Sequence, residues 1–124
     1  LEFAAADHEL WGNLGEAKLF ARQEYKEAFE QAIELAEGAT SINPNDTEVL
    51  SGLAKYYAAL GNESESRKNL DKILTVAEDD VYTAYDVAVS YARLQDTAER
   101  DAWLDKLVAM GYSKSLINRD ANFK

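Results

Sequence analysis

Leu53-Ala54-Lys55-Tyr56-Tyr57-Ala58-Ala59-Leu60 and Val87-Ala88-Val89-Ser90-Tyr91-Ala92-Arg93-Leu94 are two copies of one pattern. Each continues into a second matched stretch, Leu70-Asp71-Lys72-Ile73-Leu74 and Leu104-Asp105-Lys106-Leu107-Val108. Both offsets are about 34 residues, a period that belongs to stacked helical hairpins rather than to one closed core. Units of such an array bury their apolar sides against their neighbours and together expose long surfaces. Surfaces of that kind hold other molecules and rarely carry chemistry.

Working outward, apolar residues at helical spacing define six main helices and a short closing one. The first is expected from about His8 to Phe20, capped by Asp7. Leu10, Trp11, Leu14 and Lys18 mark its inner face, and Gly15 admits a close neighbour. The second, from about Glu24 to Ile42, turns Ala28, Ala32, Ile33, Ala36 and Ala39 inward. It stops at Asn43-Pro44, because the residue before proline resists the helical conformation and proline has no N–H to donate. Asn45 with Glu48 forms a capping-box-like start to the third, which Gly61 ends. Asn62 caps the fourth, which carries Leu70, Ile73 and Leu74 inward. Asp79 or Asp80 caps the fifth, from about Val81 to Leu94. Asp96, with Glu99 in the reciprocal place, caps the sixth, ended by Gly111. Ser113 caps a closing helix to about Asn118, beyond which the chain is expected to fray. Turns of two or three residues make consecutive helices antiparallel. Tyr57 and Tyr91, at matching positions, are expected in the core, as are Trp11, Phe29 and Trp103.

Composition narrows the function. Of 124 residues, 47% are apolar, enough to build a core, and the net charge is −10. That charge argues against nucleic acid, whose binding needs a basic footprint, and against an anionic membrane surface. It suits a basic or mixed-charge protein partner, or simply a solvated surface. No apolar stretch has the length of a membrane span, so no direct membrane insertion is expected. The chain has no cysteine, which excludes disulfides and thiolate metal or redox sites and leaves either redox compartment open. A cytoplasmic setting is favoured; a periplasmic one fits a parent protein with an upstream membrane span. Leu1 in place of methionine suggests a piece of a larger protein, and Leu1-Glu2-Phe3 is left out of the fold argument.

With these residues in place, the chain resembles the tetratricopeptide repeat family. Trp11-x-Asn13-Leu14-Gly15-x-Ala17 is similar to the family's opening pattern, and Ala39 with Ile42-Asn43-Pro44-Asn45-Asp46 to its ending. The repeats run from about 8 to 46, 47 to 80 and 81 to 114, with a C-terminal cap at 113–124, and together make one domain. The resemblance implies an all-α fold, a right-handed superhelix of three antiparallel hairpins plus the cap, and a non-catalytic protein–protein interaction module. Several positions depart from the pattern. Gln95 replaces the glycine of the inter-helix turn, and Glu78 and Tyr112 stand where Pro44 stands. Ser66 and Arg100 replace an alanine, so the paired helices are expected to pack more loosely there. About five extra residues lie between Lys18 and Ala39 and are expected to extend the first hairpin. The ending, Met110-Gly111-Tyr112-Ser113-Lys114 through Arg119-Asp120, resembles the close of tetratricopeptide regions in bacterial kinases, cyclases and transcriptional regulators.

No constellation of residues carries catalysis, and no metal site or cofactor is expected. His8 is the single histidine and reads as a surface or capping residue, since adjacent Glu9 points about 100° away on a helix. Asp79-Asp80 and Asp101 with Asp105 fall at helix starts or on outer faces, where solvation and the helix dipole account for them. The resemblance places the first helix of each hairpin on the concave side. The expected ladders there are Glu9, Asn13, Glu16 and Phe20; Glu48, Gly52, Lys55 and Ala59; and Tyr82, Asp86, Val89 and Arg93, flanked by Tyr85. The partner-binding residues expected are Glu16, Phe20, Lys55, Tyr82, Tyr85, Asp86, Val89 and Arg93. The partner is a peptide or protein segment; the alternative is a structural spacer, or self-association or intramolecular docking. The basic clamp with which chaperone-binding members hold a C-terminal carboxylate is excluded. Its places are taken by Gly12, Glu16, Gly52, Tyr82 and Asp86, none of them basic.

Overall fold

Consecutive antiparallel helices carry the repeat. The computed structural model describes residues 3–76 and 80–124. Its elements are α1 (Phe3–Phe20), α2 (Lys26–Ile42), α3 (Thr47–Ala59), α4 (Glu63–Val76), α5 (Val81–Arg93), α6 (Thr97–Ala109), α7 (Lys114–Arg119) and a 3-10 turn, η1 (Ala121–Phe123). No strand occurs among the described residues. The chain is thus an all-α helical repeat. Helices α1 and α2, α3 and α4, and α5 and α6 pair as hairpins, and α3 packs on α2, α4 and α5.

Side-chain oxygens set the helix starts. Asp46, not Asn45, caps α3, accepting from the Glu48 and Val49 amides at 3.1 and 3.4 Å. Asp80 caps α5 through the Tyr82 and Thr83 amides, while Asp79 and Glu78 lie outside the described residues. Asn62, Asp96 and Ser113 take the Glu65, Glu99 and Leu116 amides as expected. Asp7 is no cap, because α1 already begins at Phe3. At the inter-helix turn Gln95 adopts φ 61°, the left-handed conformation that Gly61 adopts at φ 77°. The repeat geometry therefore holds this turn even where its residue carries a Cβ.

The core is layered. Phe29, Ala32 and Ala36 of α2 meet Val49, Leu53 and Tyr56 of α3. Leu50 and Ala54 meet Leu70, Ile73, Val87 and Tyr91. Ala84 and Ala88 meet Leu107. Helix α3 therefore buries residues towards the preceding hairpin and towards α4 and the following one, and α5 towards the preceding hairpin and towards its own partner α6.

Helix α1 buries one side only, and not the side expected. Its inner residues are His8, Gly12 and Gly15, while Leu10, Trp11 and Leu14 are exposed at 66%, 38% and 40%. Shifted along the first repeat, Leu10 and Leu14 match Val49 and Leu53, which face back onto the preceding hairpin; no described element packs on that side of α1. Leu74, also expected inside, is 55% exposed. Tyr56 rather than Tyr57 is the fully buried tyrosine of α3. Tyr57 lies half-buried, its hydroxyl on the Glu37 carboxylate at 2.6 Å. Ser66 does not loosen its hairpin: it is fully buried, and its hydroxyl donates to the Ala54 carbonyl at 2.7 Å. The extension of the first hairpin falls between Lys18 and Ala39 as expected. The turn at 21–25 is longer than those at 60–62 and 94–96, and α2 starts about one turn earlier than α4 does.

Candidate functional site

Helices α1, α3 and α5 stand side by side and bring most of the expected groove residues together. The charged ones pair with each other. Lys55 reaches Glu16 at 3.4 Å and Asp86 at 3.2 Å. Arg93 reaches Glu16 at 3.0 Å and donates to the Lys55 carbonyl at 3.1 Å. Asp86 also accepts from the Ser51 hydroxyl at 3.2 Å. All four ionic side chains are mostly buried, with Arg93 only 9% exposed. The network ties one helix from each hairpin to the next. Removing one partner would strand a desolvated charge, the costly way to break such a pair. Burial pushes the Asp86 carboxyl up, against the pull of Lys55 and Ser51.

The other expected residues divide sharply. Tyr82 is 80% exposed and Phe20 50% exposed. Val89, expected on the groove wall, is instead fully buried, because α5 packs on both sides. Tyr85 is engaged by the end of the chain. Beyond α7 the residues do not fray but fold back as η1 onto α5. The Tyr85 hydroxyl donates to the Asp120 carboxylate, its ring meets Tyr112 and Phe123, and Arg93 donates to Asn122 at 3.3 Å. The C-terminus therefore covers one end of the α5 face.

The other end is open. A cavity of about 360 Å³ is lined by Glu9, Glu48, Ser51, Asp80, Tyr82, Thr83, Tyr85 and Asp86. A second, of about 210 Å³, shares Glu9, Glu48 and Asp86 with it and adds His8, Asn13, Gly52, Lys55 and Tyr56. Burial explains the space: Gly52 and Ser51 leave the centre of α3 low, and a Cβ at Gly52 would meet His8 Cε1 at 3.1 Å. The neighbouring Glu48 carboxyl, with burial and the nearby negative charge, raises the Glu9 carboxyl to about 7. A carboxyl held protonated by its neighbours marks a site short of positive charge.

His8 is not at the surface. It is 1% exposed, and its Nδ1 lies 2.7 Å from the Tyr56 hydroxyl, which also lies 3.2 Å from the His8 carbonyl. Two bonds form together only if the hydroxyl donates to the carbonyl and Nδ1–H donates to the hydroxyl. Nε2 is then a bare acceptor, and it has no partner among the described residues. Burial lowers the His8 pKa, which keeps the ring neutral. The sequence carried one signal for this placement: His8, Gly12, Gly15 and Leu19 recur at helical spacing, and the two glycines mark where neighbours press in. A Cβ at Gly12 would stand 2.5 Å from the Tyr56 ring, and one at Gly15 would stand 2.9 Å from Phe29.

Among the described residues no group of three or more histidine, aspartate or glutamate side chains is placed to hold a metal ion. Among the same residues no helix is long and apolar enough to cross a membrane. No curated protein and no solved structure matches the chain. A family model described as tetratricopeptide repeat matches residues 19–86, more than half of the sequence. Taken with the hairpins, their period and the layered core, that match shows that the chain belongs to the tetratricopeptide repeat family.

Proposed function

We propose that this chain takes a peptide or protein segment on the face made by α1, α3 and α5, as part of a larger bacterial signalling or regulatory protein. Tetratricopeptide repeats are non-catalytic modules that generally mediate protein–protein interaction. The observation that carries the binding reading is the open cavity beside Tyr82, an aromatic side chain 80% exposed at the rim of a concave surface. Aromatic residues at such rims are the usual energetic anchors of an interface. Phe20 offers a second anchor at the opposite end. Glu16, Lys55, Asp86 and Arg93 hold the face rigid, Val89 supports it from beneath, and Tyr85 borders it. The bacterial regulatory setting rests on the likeness of the closing segment alone.

Selection of displayed random peptides against the domain tests the reading. Selected peptides should lose at least about tenfold in affinity to a Tyr82→Ala domain, the loss of one aromatic hot spot. Peptides that bind parent and variant equally would place the site elsewhere. A second reading, self-association, is favoured by the exposed stripe Leu10, Trp11 and Leu14 on the side of α1 that no described element covers. Sedimentation that shows a monomer at every concentration would remove it.

A further inference from the structure

The open cavity differs from the rest of the face in its charge. Four carboxylates, Glu9, Glu48, Asp80 and Asp86, line this part of the groove. The cation there, Lys55, is committed to Glu16 and Asp86. Asp80 is held by the amides at the start of α5. Glu9 and Glu48 make no ion pair among the described residues, and both line both cavities.

A second observation is independent of the carboxylates. The cavity shared by Glu9 and Glu48 is also lined by His8, a fully buried ring whose Nε2 acceptor is unpartnered. An orphan acceptor beside two carboxyls calls for a ligand that only donates hydrogen bonds. A guanidinium is such a group: five N–H donors in a planar fork, permanently charged. The exposed ring of Tyr82 lines the adjoining cavity, which shares Glu9, Glu48 and Asp86 with this one, and gives a flat cation a face to stack on.

We propose that the cavity between α1, α3 and α5 binds an arginine side chain of the partner segment, its guanidinium set between Glu9 and Glu48. This rests on the groove reading above and specifies its partner as a peptide with a basic anchor. The arginine takes the place of the proton that Glu9 holds, so binding strengthens as pH rises. The groups that face Glu9 are His8 beside it on α1, Glu48 and Lys55 on α3, and Asp86 on α5. His8 is neutral and Lys55 is paired, so the change near pH 7 belongs to Glu9.

The test is an NMR titration of the labelled domain with N-acetyl-argininamide, its lysine counterpart and the neutral citrulline isostere. Saturable shifts confined to the amides around Glu9, Glu48, Gly52 and Tyr82 are expected with arginine, weaker ones with lysine and none with citrulline. Affinity should rise about tenfold from pH 6 to pH 8, as a group titrating near 7 loses its proton. Glu9→Gln with Glu48→Gln should abolish saturation, and Glu30→Gln with Glu34→Gln, the same charge change on the exposed side of α2, should not. Tyr82→Ala, at an exposed position, gives a second variant that leaves folding intact and should weaken the arginine probe severalfold. Shifts spread over every acidic surface, equal binding of citrulline, or an unaffected glutamine double variant would overturn the proposal. Displayed peptides that depend on Tyr82 yet carry no arginine, and are not displaced by the probe, would overturn it while the groove reading stands. Saturable probe binding with no peptide ever selected would sink the groove reading alone.

Discussion

Gly12→Ala is the sharpest test of how α1 is seated. Glycine inside a helix normally costs about 1 kcal/mol relative to alanine, so the substitution taken alone should stabilise the domain. Here the added Cβ would stand 2.5–2.8 Å from three atoms of the Tyr56 ring. That ring cannot swing aside freely: it is 2% exposed, packed on Phe29 and bonded through its hydroxyl to His8. Either α1 lifts, at an overpacking cost of about 1–3 kcal/mol, or the ring moves and gives up hydrogen bonds worth about 1 kcal/mol each. Either route outweighs the helix gain, leaving a net loss of about 1 kcal/mol if the ring moves and up to about 2 kcal/mol if the helix lifts. For a domain of this size that lowers Tm by about 3–10 °C. Gly38→Ala supplies the contrast, since it lies within α2 with nothing inside 4 Å of its added Cβ. It should raise Tm by about 3–5 °C, the helix gain alone. Thermal melts of the two variants beside the parent decide the matter. A Gly12→Ala domain as stable as the parent, with Gly38→Ala behaving as expected, would mean that α1 does not sit on Tyr56.

Ala54→Leu and Ala88→Leu each crowd a fully buried alanine between hairpins and should cost about 1–3 kcal/mol, read in urea denaturation; unchanged midpoints in both would refute the register of the repeats. Tyr85→Phe removes the bond to Asp120 and should cost about 1 kcal/mol, with faster amide exchange confined to residues 120–123; exchange that stays slow there would show that the bond does not hold the tail. Glu9→Gln should change how Tm depends on pH. The folded carboxyl holds its proton to about 7, well above its ordinary 4.5. The folded state therefore binds protons that the unfolded chain has released, and parental stability falls as pH rises from about 4.5 to 7. The variant should flatten that fall by a modest amount, because the carboxyl is solvent-screened, and parallel profiles would contradict the proton held on Glu9.

The period revealed most of the architecture, because a repeat states the same packing rule more than once. Leu50, Ala54 and Leu70 fell in the core for the reason that Ala84, Ala88 and Leu104 could be read beside them. The first hairpin had no such support. Leu10, Trp11 and Leu14 look like an inner face on hydrophobicity, yet in α3 the matching Val49 and Leu53 are buried by the hairpin before them. With nothing described on that side of α1, the same pattern lies exposed, and the buried face is built from His8, Gly12 and Gly15. Those are residues whose local hydrophobicity says little. Tyr56 and Tyr57 show the same limit at finer grain, since one step along a helix turns a side chain by about 100°. The groove ladders were legible, and Glu16, Lys55, Asp86 and Arg93 do converge. What spacing does not show is that these charges satisfy one another, or that Asp120 and Asn122 return from the end of the chain to claim Tyr85 and Arg93.

That return decides which part of the face a partner can use. To bind over Tyr85 and Arg93 a segment must first displace η1. It would break the Tyr85–Asp120 and Arg93–Asn122 hydrogen bonds and the edge contact of Phe123 on Tyr85. At about 1 kcal/mol for each contact, displacement takes about 3 kcal/mol, or about a hundredfold in affinity, before any new contact forms. The cavity at Glu9, Glu48 and Tyr82 carries no such penalty: its rim is exposed, and Glu9 already holds a proton that a cation can replace. The charges first read as separated recognition points, Glu16, Lys55, Asp86 and Arg93, are largely spent on one another. A segment that enters at the open end therefore gains most from a basic residue there and least from the paired charges beyond it.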